Sequence, residues 1–281
     1  MRLVTYDIGH GPRAGVLAED RVVDAWALLG GPGSDAPTLG ALLRAGRLGE
    51  LAGAESHRPS VAVSDARLLP PLTDPDKIVC IGLNYSDHAE ETGMDSPEAP
   101  TFFPKYRNAL APPGAEVVLP PWSQQVDYEA EVAFVVGEHC KDVPESEALS
   151  KVAGYTLLND LSARDYQFLT PQWAPGKVFD GSAPCGPALV TADEVDPAAI
   201  GIALELNGET MQSSTTANLI HGVPALIAFL SKLMTLAPSD IVSTGTPAGV
   251  GMSRDPQVWL KPGDVAVVSS PQLGRLETRL T

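Results

Sequence analysis

"QVDYEAEVAFVVG", residues 125–137, is the stretch on which the fold turns. Asp127, Glu129 and Glu131 alternate with Tyr128, Ala130 and Val132, and the run stays apolar through Val136 before Gly137. β-Branched and aromatic residues closed by a glycine read as a strand over 127–136. Residues two apart in a strand share a face, so the three carboxylates would stand together beside a segment apolar enough to be buried. Two ionised carboxylates ~6–7 Å apart repel by roughly 2–3 kcal/mol at an effective dielectric of ~20. A solvated edge strand would screen that repulsion. An interior strand would need a cation or raised pKa values, and a hard divalent ion such as Mg²⁺ or Mn²⁺ supplies the cation.

Strand-like segments surround this one, at 78–82, 115–119, 154–159, 186–191, 202–207, 240–243 and 264–269. Asn207-Gly208 in "ELNGETM" is a strong hairpin signal between strand-like arms. "ANLIHGVPALIAFLSKLM" (217–234) is the clearest helix, with Gly222 and Pro224 disturbing its first turns. One long helix argues against a parallel Rossmann-type sheet. The fold class expected is α+β and mostly β. Residues 1–70 form a small N-terminal unit, in which "RLVTYD" and "RAGVLAEDRVVDA" are strand-like and "TLGALLRAGRLGELAG" has helical spacing. The Pro- and Asp-rich "LLPPLTDPDK" (68–77) marks the passage to a larger domain, 71–281.

Bulk composition narrows the function. The 281 residues include 35 acidic and 19 basic side chains, a net charge of −16 that repels nucleic acid and anionic membranes. No apolar run approaches the ~20 residues of a membrane span, and the first residues lack a signal-peptide pattern, so a cytoplasmic protein is expected. Cys80, Cys140 and Cys185 have neither disulfide-framework nor zinc-site spacing, and Cys80 in "KIVCIGL" reads as a buried thiol.

Chemistry-bearing residues lie in a few further stretches. Asp160 follows the apolar "YTLL" and is either a ligand emerging from a strand end or an Asx-type cap. Lys177, between a Pro-Gly turn and an apolar residue, would balance an anionic enolate or snorkel at the surface. "TGTPAGVG" (244–251) offers backbone N–H groups and the Thr246 hydroxyl to an anion, without a Walker ending. His88 and Glu91, three residues apart, suit either a water-activating pair or a plain surface helix contact.

In order along the chain from Lys77, "KIVCIGLNYSDHAEETG", "PTFFPK", "QVDYEAEVAFVVG", "NDLSARDYQ", "QWAPGKVFDGSAPCGP", "LIHGVPALIAFLS", "STGTPAGVG" and "LKPGDVAVV" resemble the fumarylacetoacetate hydrolase family. The resemblance covers about three-quarters of the sequence. It implies a mixed β-roll or distorted barrel core, usually a homodimer, and a Mg²⁺ or Mn²⁺ site of Glu129, Glu131 and Asp160. It further implies Lys177 as enolate stabiliser, Thr246 as carboxylate contact, and His88 with Glu91 as a water-activating dyad. The activity implied is hydrolysis of a C–C bond in acylpyruvate-type 2,4-dioxo acids. Oxaloacetate-type decarboxylation, oxo-acid isomerisation or hydration on the same site, and a non-catalytic binding protein are the alternatives. Gly181-Ser182 and Tyr106-Arg107 depart from the family pattern, and Arg107 is a candidate contact for a second carboxylate, with a surface role as its alternative.

Overall fold

The computed structural model describes residues 1–31, 37–53, 60–87, 91 and 97–281. Its central feature is a large mixed sheet. Across its main path the strands run Ser60–Ala62, Arg21–Asp24, Arg13–Ala18, Arg2–Asp7, Ala183–Thr191, Val152–Asn159, Ala130–Val136, Ile241–Ser243, Ile78–Gly82 and Thr101–Lys105. A second sheet orders Glu209–Thr215, Gly201–Leu206, Val265–Ser270, Gly274–Leu280 and Ala115–Val117. The fold is α+β and mostly β. No described helix is long and apolar enough to cross a membrane.

Ala130–Val136 is an interior strand, antiparallel to Val152–Asn159 on one side and to Ile241–Ser243 on the other. All seven of its residues are buried, which disposes of the solvated-edge reading. Its apolar run loses period-2 alternation because both faces are covered. Val132, Phe134 and Val136 pack in a core with Leu204, Val268 and the helix residues Leu226 and Leu230. Ala133 and Val135 turn the other way, into a core with Trp26, Leu39, Leu42 and Leu43 of the N-terminal region. That region joins the large sheet through Arg2–Asp7, which pairs with Ala183–Thr191.

Local chemistry explains the element ends. Asn207 and Gly208 take φ of 53° and 85° and close the hairpin between Gly201–Leu206 and Glu209–Thr215. Two consecutive positive φ values are what a two-residue primed turn requires. The long helix starts only at Val223, with Gly222 as N-cap and Pro224 in its first turn. The stretch before it is a 3₁₀ turn, Thr216–Asn218, because proline is tolerated at a helix start and not inside.

The strand expected over 127–136 is broken. Val126–Asp127 pairs with Ser162–Ala163 as a separate short ladder, and the interior strand begins at Ala130. The break removes Asp127 from the face it was expected to share with Glu129 and Glu131. Its carboxylate accepts the N–H groups of Tyr128, Gly251 and Met252 and pairs with Arg164.

The close strand spacing sets one stability prediction. A Cβ at Gly154 would lie 2.2 Å from the Val190 carbonyl oxygen, which is backbone in the adjacent strand and cannot yield. Gly154→Ala should cost about 2–3 kcal/mol, read as a lower urea midpoint at unchanged slope.

Candidate active site

Glu131 lies near the start of Ala130–Val136, and Asp160 follows the end of the antiparallel Val152–Asn159; the pairing of Ala130 with Asn159 brings both to one end of the sheet. Glu129 precedes the interior strand, its N–H donating 3.1 Å to the Asn159 side-chain oxygen. One carboxylate oxygen from each of Glu129, Glu131 and Asp160 lies within 4.8 Å of the others, and all three residues are buried.

Each acid is held by a different partner. Glu129 takes the Arg164 guanidinium at 2.7 Å on one oxygen and the Lys177 ammonium at 2.5 Å on the other. Asp160 takes Lys105 at 2.7 Å and Lys177 at 3.0 Å, again on separate oxygens. Glu131 has no cation of this kind within 4 Å among the described contacts. Its Oε2 accepts the Ser243 hydroxyl and the Gly245 N–H. Burial, then Asp160, then Glu129 push its carboxyl pKa well above the ordinary range. For Lys177, burial acts to lower the pKa, but Asp160 and Glu129 outweigh it and the ammonium is favoured.

These donors suit a hard divalent cation. Three converging carboxylates, one without a counter-charge and with a raised pKa, are the oxygen-rich, proton-competing environment that Mg²⁺ or Mn²⁺ relieves. Thr246 sits at the same cavity, whose lining includes Glu129, Glu131, Arg164, Gln167 and Lys177. Its hydroxyl oxygen accepts from the Gln212 amide at 2.8 Å, and that amide's own oxygen accepts from Ala130 N–H at 2.9 Å. With the amide so oriented, the Thr246 proton is left to donate to an anion.

Residues 77–281 match the model of the fumarylacetoacetate (FAA) hydrolase C-terminal family. The chain belongs to this family. It is 43% identical over 225 residues to a mitochondrial oxaloacetate tautomerase of Xenopus laevis, a match covering 79% of this chain and 70% of that protein. Among solved structures, a putative HpcE protein from Mycobacterium smegmatis superposes with a TM-score of 0.89 at 35% identity, over 100% of this chain and 99% of that one. A maleylpyruvate hydrolase from Sphingobium sp. SYK-6, in complex with manganese(II) and pyruvate, gives a TM-score of 0.83 at 31% identity, over 100% of this chain and 99% of that one. The chain is an enzyme of the fumarylacetoacetate hydrolase family.

The family site draws in residues that the sequence reading passed over. Lys105 is fully buried and also donates to the carbonyls of Ser182 and Lys177 and to the Ser182 hydroxyl, so it ties Asp160 to the backbone that carries Lys177. The Ser182 departure therefore falls inside this buried cluster. Arg164 bridges Asp127 and Glu129 and meets Gln167 at 2.9 Å. Only Arg164 and Gln167, three residues apart on the one-turn helix Arg164–Gln167, share a local element, and that spacing alone did not mark a site. Gln212 carried no signal.

One expected contributor, Arg107, stands apart from the cavity. Arg107 is exposed on the 3₁₀ turn Arg107–Ala109 and is not among the cavity residues; the turn is held at the surface by Asn108, which bonds Val178 and Asp180. His88 lies outside the described residues. Glu91 is exposed and accepts the Gly249 N–H at 2.9 Å, which puts it on the glycine-rich loop after Thr246.

The Glu131 environment sets a pH prediction. Its carboxyl binds a proton more tightly folded than unfolded, so the stability it contributes is complete below the unfolded value, about 4.3, and is lost as pH rises through the folded value. Metal-free protein should therefore melt at lower temperature as pH rises above the ordinary carboxylate range. Glu131→Gln should flatten that slope and abolish the melting-temperature increase caused by Mn²⁺ or Mg²⁺.

Proposed function

We propose that this enzyme acts on 2-oxo acids through an enolate, cleaving the C–C bond of an acylpyruvate by hydrolysis. The observation carrying this reading is the Lys177 ammonium lodged between Glu129 and Asp160 beside Glu131, at the wall of the cavity. A cation so fixed is preorganised to offset negative charge as it develops on an enolate oxygen.

Glu129, Glu131 and Asp160 would hold the divalent ion, Mg²⁺ or Mn²⁺, which supplies Lewis acidity to a chelated carboxylate and 2-oxo group. The remaining work falls to the protein. The Thr246 hydroxyl donates to the substrate carboxylate, its direction set by Gln212. Arg164 fixes Glu129 and is itself fixed by Asp127, so the acid cannot rotate out of register. Lys177 stabilises the pyruvate enolate as it departs. His88 and Glu91, paired by the family resemblance, are the proposed dyad that takes the proton from the attacking water. The manganese and pyruvate of the Sphingobium hydrolase support both the metal and the 2-oxo acid.

The tautomerase named among the curated relatives favours a second reading, keto–enol interconversion of an oxaloacetate-type acid on the same groups. That reaction needs proton transfer at C3 and no hydrolytic water.

Two assays separate the readings. Purified protein with Mn²⁺ should release pyruvate from acetylpyruvate, and excess EDTA should stop it. Lys177→Met should lower kcat by about 10²–10³ while leaving metal binding by calorimetry in place. Decay of enol oxaloacetate without pyruvate release from acetylpyruvate would establish the second reading instead.

A further inference from the structure

Lys105 closes the edge strand Thr101–Lys105, yet its ammonium points inward and is fully buried. Oxygens surround it. The Asp160 carboxylate lies at 2.7 Å, the Ser182 carbonyl and hydroxyl each at 2.9 Å and the Leu161 carbonyl at 3.4 Å, and the Lys177 carbonyl accepts a further hydrogen bond. A buried ammonium needs a counter-charge and acceptors for three N–H groups. Here a carboxylate, three carbonyls and a hydroxyl converge, the all-oxygen shell that suits a monovalent cation.

Ser182 gives that shell its direction. An ammonium cannot accept, so the Ser182 hydroxyl accepts from Lys105 and sends its own proton to the Lys177 carbonyl at 2.9 Å. The Ser182 carbonyl also accepts the Leu161 N–H at 3.0 Å, one residue beyond Asp160. One residue therefore touches the backbone at Lys177 and the backbone next to Asp160. Gly181, with φ of 75°, takes the left-handed turn that precedes it. Gly181-Ser182 is the departure from the family pattern, and neither residue is among those lining the cavity. Lys177 ends the one-turn helix Ala174–Lys177, and Asp160 follows the strand Val152–Asn159, so the two groups meeting at 3.0 Å come from separate elements. Lys105 and Ser182 span the interval between those elements.

We propose that Lys105 and Ser182 are positioning residues, the Lys105 ammonium serving as a tethered monovalent cation whose oxygen shell fixes Asp160 relative to Lys177. The turnover assay below rests on the 2-oxo acid reading; the melting and metal-binding measurements do not.

Lys105→Ala in different salts tests the proposal. Without divalent metal it should melt at higher temperature in ammonium or potassium chloride than in tetramethylammonium chloride of equal ionic strength, because the larger ion cannot enter the shell. In tetramethylammonium chloride its Mn²⁺ affinity by calorimetry should fall about 10–100-fold below wild type, and ammonium chloride should restore it about tenfold. Wild-type protein should be indifferent to the choice of salt. Ser182→Ala keeps every charge and should lower kcat for pyruvate release about tenfold, with KM and Mn²⁺ affinity within about twofold of wild type. A folded Lys105→Ala that binds Mn²⁺ as wild type does overturns the proposal, as does an equal response to all three salts. If Lys105→Ala stays unfolded in every salt, Ser182→Ala decides: unchanged kcat overturns the proposal, and a fall in kcat at constant KM supports it. Wild-type protein that binds Mn²⁺ and releases no pyruvate overturns the hydrolytic reading instead, and the salt and Mn²⁺ measurements then decide the proposal.

Discussion

Three carboxylates within 4.8 Å in a buried setting are the constraint to which the surrounding structure answers. At about 5 Å and an effective dielectric of ~20, each ionised pair repels by about 3 kcal/mol, before any cost of desolvation. Lys177 is shared between two of the acids, Lys105 takes the outer oxygen of Asp160, and Arg164 takes that of Glu129. Glu131 is left with hydroxyl and amide donors only, which fits a group that prefers its proton until a divalent ion displaces it. Loss of any one cation would leave a buried charge uncompensated, the most damaging kind of polar change.

The same constraint organises the backbone around the site. Asp127, displaced from the acidic face by the break at Tyr128-Glu129, gathers three backbone N–H groups and the Arg164 guanidinium. It thereby fastens the glycine-rich loop to the side chain that orients Glu129. Gly251 belongs to that clamp, since a Cβ there would lie 2.0 Å from the Val258 carbonyl oxygen and 2.7 Å from the Asp127 carboxylate. The loop that carries Thr246 and the arginine that orients Glu129 are mechanically linked through one aspartate.

Much of this was legible in the sequence, for identifiable reasons. Strong period-2 or wholly apolar segments gave most strands of the larger part of the chain, and Asn207-Gly208 gave its hairpin, because those signals are local. Glu129 and Glu131, two residues apart, announced a shared face, whereas Asp160 read equally as a cap and joined them only through the family resemblance. Asp127 was misplaced because the interruption at 128–129 serves a distant partner, the 162–163 ladder, which no local pattern announces. Lys105, Arg164 and Gln212 escaped notice because their meaning lies in tertiary contacts. Arg107 drew attention where the sequence departs from the family pattern, and its exposed place on the turn Arg107–Ala109 agrees with the surface role held as its alternative.

The place of Ile241–Ser243 has a kinetic meaning. This three-residue strand lies between Ala130–Val136 and Ile78–Gly82, antiparallel to the first and parallel to the second. During synthesis the segment that joins these two halves of the large sheet emerges only after both have left the ribosome. Until then the strand bearing Glu131 has an open edge, and Ser243 and Gly245 are not there to receive its carboxylate. Non-local closures of this kind are slow, and the open edge is a surface on which another chain can pair. Maturation of the catalytic centre and protection of the nascent sheet from aggregation therefore depend on the same late insertion.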